Sequence, residues 1–250
     1  MIEAILLYTI VGFLAQIIDG ALGMAYGVSS NSFLLSVGVS PAIASASVHV
    51  AETFTTAVSG VSHWRLGNVD KELFKKLIIP GVLGAVVGAY ILSNIDGNII
   101  KPYIAAYLLI MGIVILVKAL RSNHDEQKVT SHISILGVIG GFFDAIGGGG
   151  WGPIVTTTLV ARGNNPRFTI GSVNSSEFFI TFSQSVVFVA VLFSDLVANW
   201  TVILGLLVGG IIAAPFAAVV TKRLPVRLLM GMVGLLIIGL QIRTLWQVLF

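Results

Sequence analysis

The sequence predicts an all-α polytopic membrane protein made of two inverted-topology repeats. Each repeat is a broken or re-entrant helix hairpin followed by three transmembrane helices. Three observations carry this expectation. Hydrophobic residues make up 56% of the 250 positions and charged residues only 10%, whereas a soluble domain is about 25% charged; mean hydropathy is +0.99. Two polar, glycine-rich passages, "IIDGALGMAYGVSSNSFL" from Ile17 and "FFDAIGGGGWGPIVTTTL" from Phe142, repeat one layout at an offset of 125 positions. Finally, the basic residues can share one membrane face only if the second half is turned over relative to the first.

Taken in order, the apolar segments run roughly 4–18, 25–37, 41–62, 75–93 and 101–120 in the first half, and roughly 134–146, 151–161, 167–193, 199–220 and 226–248 in the second, with boundaries good to a few residues. Residues 1–120 form the first repeat, 121–133 a hydrophilic connector and 134–250 the second repeat. The opening "MIEAILLYTIVGFLAQ" carries Glu3 where a signal peptide would carry basic residues, so the first segment is expected to stay in the membrane. The second segment of each half has about a dozen apolar residues, short of the roughly 20 that cross a bilayer. It is therefore expected to return to the side it came from, leaving tips at Asp19–Gly27 and Asp144–Gly152. The third, fourth and fifth segments are long enough to span.

The halves align without a gap: Asp19 on Asp144, Tyr26 on Trp151, Gly27 on Gly152, Pro41 on Pro166, His49 on Asn174, Glu52 on Glu177 and Gly84 on Gly209. After a small register change Pro102 falls on Pro225. "WRLGNVDKELFKK" is basic, while its counterpart "LFSDLVANW" has no Lys or Arg; one loop later the bias reverses, with "TKRLPVR" the basic member. All Lys and Arg except Lys101 and Arg243 thus fall on one face, expected to be cytoplasmic, with both termini outside and the protein in the cell (inner or plasma) membrane.

Irregular backbone at membrane depth is tolerated only where protein buries it or it lines a cavity. Glycine tips free backbone N–H groups, and the helix that follows adds its dipole, so the tips suit an anion. Gly27, Gly148, Gly149 and Gly150 are the expected backbone contacts. Ser29, Ser30, Asn31, Thr156, Thr157 and Asn174 supply neutral polar groups, and Tyr26 and Trp151 are expected to wall the site. The competing explanation for the glycines is close helix packing.

Asp19, Glu52, Asp144 and Glu177 lie within apolar segments, where a charge is costly and functional by default. Ser45, His49, Glu52, Thr56 and Ser59 share one helical face, matched by Asn174, Glu177, Thr181 and Gln184. These stripes are expected to face a transport path; the alternative is a network that only holds helices together. Asp19 and Asp144 are expected to shape the tips by accepting their N–H groups. Glu52 and Glu177 are expected to handle coupling protons, with His49, one turn from Glu52, as a further carrier.

The second passage in its longer form, "GVIGGFFDAIGGGGWGPIVTTTL", with the later "IGSVNSSEFF", resembles the sulfite exporter TauE/SafE family, also called the toluenesulfonate uptake permease family, over essentially the whole chain. The resemblance implies a transporter of small sulfur-containing anions such as sulfite or organosulfonates. An anion channel or uniporter, and a cation or metal transporter using the intramembrane acids, stand as rivals. With no cysteine, thiolate sites are excluded, and no metal site or cofactor is expected. "GGGGWG" lacks the strand and lysine of a nucleotide loop. No nucleophile-and-base pair is placed by the repeat, so no enzyme is expected. The expected partners are a small anion and the lipid bilayer, without nucleic acid; oligomeric state has no signature.

Overall fold

A computed structural model describes residues 2–22, 24–120, 131–223 and 226–249; most of the connector lies outside them. The first half folds into α1 (Ile2–Leu22), α2 (Tyr26–Ser36), α3 (Pro41–Arg65), α4 (Lys71–Asn94) and α5 (Gly97–Leu120). The second contains α6 (Ile133–Gly147), a π-helical turn (Gly152–Thr156) running into α7 (Thr157–Ala161), then α8 (Pro166–Ala198), α9 (Trp200–Arg223) and α10 (Val226–Leu249). The described residues form helices and connecting turns, with no strand among them.

Local chemistry explains several boundaries. Pro41 and Pro166 open α3 and α8 at the first helical position, where the missing N–H costs nothing. Asp70 caps α4 by accepting from the Glu72 and Leu73 amides at 2.9 and 3.2 Å. Asn165 does the same for α8 through Arg167 and Phe168. α8 is one long helix interrupted at Leu192, whose φ/ψ of −113°/24° leaves the helical region.

Five helical stretches are long and apolar enough to cross a membrane among the described residues: Ile2–Asp19, Lys71–Asn94, Gly97–Leu120, Arg167–Ala198 and Met230–Leu249. α3 has 25 residues, about 37 Å at 1.5 Å per residue, but its polar stripe lowers its hydropathy. α6 has only 15 residues, about 22 Å.

The exterior differs from that of a soluble protein, and the interior encloses polar groups alongside an apolar core. Ile2, Leu6, Ile10 and Leu14 make an exposed apolar stripe along α1, and Ile79, Leu83, Val87 and Tyr90 make one along α4. Ser30, Asn31, Ser45, His49, Glu52, Asp144, Asn174, Thr181 and Gln184 are buried. An exterior of this kind is solvated by lipid tails, and the polar groups are enclosed by protein.

Packing crosses between the halves. α1 lies along α9 and α6 along α4, while α3 packs on α8 and α5 on α10. The close approaches use glycine in corresponding places. A Cβ on Gly209 would overlap Thr9 and Phe13, and one on Gly84 would overlap Val138 and Phe142. Each hairpin's first helix is thus seated on the fourth helix of the opposite half.

Candidate functional site

The second tip is built around Asp144. α6 ends at Gly147, and Gly148 and Gly149 follow with φ of 66° and 150°, values that glycine adopts without steric cost. The Gly149 N–H returns to the Asp144 carbonyl at 3.0 Å. Asp144 Oδ1 accepts from the Gly150 and Trp151 amides at 2.7 and 2.8 Å, capping the helix that restarts there. Its Oδ2 accepts from Gln184 Nε2 at 2.9 Å and lies 3.2 Å from His49 Nε2. His49 Nδ1 is 2.7 Å from the Ser45 carbonyl. A carbonyl only accepts, so Nδ1 carries a proton. His49 Nε2 then faces Asp144 Oδ2. His49 therefore pairs with Asp144 across the halves, a partner that its spacing from Glu52 did not indicate.

The first tip uses the same device. Asp19 Oδ1 accepts from the Tyr26 amide at 3.4 Å, and these residues are the counterparts of Asp144 and Trp151. Ala25, with φ of 94°, makes the turn into α2. Both aspartates thus accept an N–H from their own tip.

The two tips touch. A Cβ on Gly27 would lie 2.7 Å from both the Gly148 carbonyl oxygen and Gly149 Cα. One on Gly149 would overlap the Val28 amide, one on Gly148 the Asn31 side chain, and one on Gly150 the Tyr107 hydroxyl. Asn31 Nδ2 donates to the Gly147 carbonyl, Ser45 Oγ to the Ala145 carbonyl, and the Tyr107 hydroxyl to the Gly149 carbonyl at 3.4 Å. Residues of the first half therefore fill the space beside the four glycines, and Asp144 takes the Gly150 and Trp151 amides. Close packing explains this run at least as directly as an open amide cradle does.

Trp151 and Tyr26 are fully buried. The Trp151 indole donates to the Val173 carbonyl and the Tyr26 hydroxyl to the Leu206 carbonyl, each at 3.1 Å. Trp151 fills the space beside Gly81 and Gly140, and Tyr26 lies near Gly210. Both rings wedge a hairpin against the fourth helix of the other half.

The polar stripes of α3 and α8 face each other. Thr56 Oγ1 and Thr181 Oγ1, repeat counterparts, are 3.4 Å apart. Thr53 Oγ1 and Ser185 Oγ are 3.1 Å apart, and Asn174 Nδ2 donates to Ser59 Oγ at 3.4 Å. Glu52 and Glu177 are buried here. Ser29 Oγ, Ser30 Oγ, Asn31 Oδ1, Glu52 Oε2, Thr156 Oγ1, Thr157 Oγ1 and Asn174 Oδ1 are buried without a hydrogen-bond partner. Each such group costs about 1–3 kcal/mol, and native proteins carry few of them. No group of three or more acidic or histidine side chains is arranged for a metal among the described residues.

Tyr107 and the π-helical turn escaped the sequence reading. Tyr107 lies on an apolar helix with nothing local to mark it. The turn does have a signal, Pro153 closing the glycine-rich stretch "GGGGWGP", but that pattern equally begins an ordinary helix.

No solved structure matches the chain. A probable membrane transporter protein, YtnM, of Bacillus subtilis (strain 168) is 46% identical over 251 residues, covering 97% of this chain and 83% of that protein. A probable membrane transporter protein of Xylella fastidiosa (strain Temecula1 / ATCC 700964) is 28% identical over 241 residues, covering 91% and 90%. The family model described as sulfite exporter TauE/SafE matches residues 8–244. The chain, a multi-pass membrane transporter and not an enzyme, belongs to the sulfite exporter TauE/SafE family.

Proposed function

We propose that the protein is a proton-coupled secondary transporter of small sulfur-containing anions such as sulfite or organosulfonates, held where the two glycine tips meet. The observation that carries this reading is the set of buried, unpartnered polar atoms on α2, α3, α8 and the π-helical turn with α7. Asn31 and Thr156 are repeat counterparts, and so are Ser32 and Thr157; all four carry such an atom. A substrate oxyanion would accept from the Ser32, Thr156 and Thr157 hydroxyls, whereas the unpartnered Asn31 oxygen would accept from a protonated substrate group. All four side chains are neutral, so the anion binds without a fixed cation to release it from. Asp144 stays on the tip amides and holds the loop in shape, and Tyr26 and Trp151 act from behind as wedges.

Glu52 and Glu177 are the proposed proton carriers. A carboxyl that loads a proton with the substrate offsets its charge during the crossing, which lowers the cost of moving an anion through an apolar interior. The inverted repeat supports alternating access, because each hairpin sits on the opposite half's fourth helix and a rocking motion would expose the same site to either side. The sidedness of Lys and Arg supports a cytoplasmic connector at 121–133 with both termini outside.

The test is anion flux in proteoliposomes under an imposed pH gradient, preceded by a binding screen of sulfite, thiosulfate, sulfonates, sulfoacetate and carboxylates. Glu52→Gln and Glu177→Gln are expected to keep substrate binding and abolish the pH dependence of flux. Wild-type flux and pH response in both variants would make these glutamates structural. A wild-type protein indifferent to the gradient would indicate a channel or uniporter.

A further inference from the structure

Asn31 on α2 and Gln184 on α8 are fully buried, and both amides meet the end of α6. Asn31 Nδ2 donates to the Gly147 carbonyl. Gln184 Nε2 donates to Asp144 Oδ2 at 2.9 Å and to the Gly141 carbonyl at 3.5 Å. Backbone carbonyls only accept, so each amide is held with its nitrogen toward α6. The oxygens, Asn31 Oδ1 and Gln184 Oε1, are left buried without a partner. An amide oxygen has no proton to offer, so whatever satisfies it must donate. The unpartnered serine and threonine hydroxyls make no such demand, because a hydroxyl turns to donate or to accept. By the 125-residue repeat Asn31 corresponds to Thr156 and Gln184 to Ser59, so the counterparts of both amides are hydroxyls.

We propose that Asn31 Oδ1 and Gln184 Oε1 accept from a donor group on the transported anion, so that the substrate is a small oxyanion keeping an O–H or N–H on its central atom and not a simple alkyl sulfonate. This rests on the tips being the anion site, and it adds Gln184 to that site as a specificity residue. The physical reason is the cost of an acceptor left unpaired. A ligand that displaces donating water from a buried oxygen, and does not donate in turn, loses affinity. A methyl group offered to these oxygens does so. A hydroxyl or amino group restores the bond, while the other oxygens of the anion take the Ser32, Thr156 and Thr157 hydroxyls. Gln184 also ties this selection to the tip: the same amide holds Asp144, whose Oδ1 holds the Gly150 and Trp151 amides.

The probes are sulfamate and methanesulfonate. They carry the same charge and have nearly the same shape, but sulfamate has an amino group where methanesulfonate has a methyl. Binding of each to the purified full chain in detergent is measured by calorimetry. The wild type is expected to bind sulfamate about tenfold more tightly or better, since a site built to pair a substrate N–H rejects the analogue that lacks it. Gln184→Met, of similar length without the amide oxygen, is expected to lose most of that preference; Asn31→Leu gives the same readout should the first variant not fold. Equal affinities in the wild type would overturn the inference and leave an anion site in place. So would a preference that persists undiminished in both folded variants, or sulfamate binding that depends on sodium, which would put a cation at these oxygens. Failure to bind sulfamate would also overturn it; sulfite binding in that case would keep the anion-site reading, and failure of both would remove that reading as well.

Discussion

Gly149 illustrates how tertiary contact changes the meaning of a residue. From sequence, its replacement by alanine is expected to spoil ligand binding and spare the fold. Its φ of 150° and its contact with Gly27 and the Val28 amide now predict a folding defect as well. Backbone strain and overpacking together cost about 2–5 kcal/mol. Gly149→Ala should lower the thermal unfolding temperature in detergent clearly; an unchanged temperature with lost binding would restore the open-cradle reading. His49 changes in a similar way. With its Nε2 on Asp144, His49→Asn removes one partner of a buried pair, a loss of about 3–5 kcal/mol, although asparagine is what the other half carries at that position. The expected outcome is a destabilised protein, read by the same melt, rather than a mild change in pH response. Asp144→Asn retains an acceptor for the tip amides and should cost less than Asp144→Ala.

At the level of elements, the two tips solve one problem with different residues. The turn into α2 uses Ala25 at φ 94°, a conformation that costs a residue with a Cβ about 1–2 kcal/mol; the second tip places its positive φ values at Gly148 and Gly149. Ala25→Gly should therefore raise stability by up to about 1 kcal/mol, once the added freedom of glycine in the unfolded chain is subtracted. A melt showing no gain would mean that other contacts hold this turn. The second half instead follows its tip with a π-helical turn at Gly152–Thr156, a feature often found at functional sites. Helix limits were legible to within a few residues because hydropathy, Pro at the helix start and capping by Asp70 and Asn165 are local signals. The π turn and the α8 break at Leu192 were not, since neither has a distinctive local pattern.

Over the whole molecule, the basic residues predict which side is which. In this cysteine-free chain, a cysteine introduced at Ser122 in the connector should react with an impermeant thiol reagent only after the membrane is opened. Labelling of intact cells at that site would reverse the orientation. The reciprocal seating of α1 on α9 and α6 on α4 means that each half supplies a main packing surface for the other's hairpin. Separately expressed 1–120 and 134–250 pieces should be unstable alone and recover on co-expression, as judged by protease resistance. Independent stability of either piece would show that the packing between halves is dispensable.

Composition, the 125-residue repeat and the sidedness of charge are additive or local properties, so the sequence by itself determined the membrane environment, the all-helical class, the order of ten segments and the family. The same patterns brought out Asp19, Asp144, Glu52 and Glu177, because a carboxyl in an apolar run stands out whatever surrounds it. Partnership is a different kind of quantity. That His49 meets Asp144, that Asn31 caps the end of α6, that Tyr107 stands behind the glycines, and that Trp151 and Tyr26 are wedges depends on contacts between residues up to 180 positions apart. Only the tertiary structure decided these, because helix-to-helix register is set by side-chain fit across the whole bundle, and no local stretch of sequence encodes it.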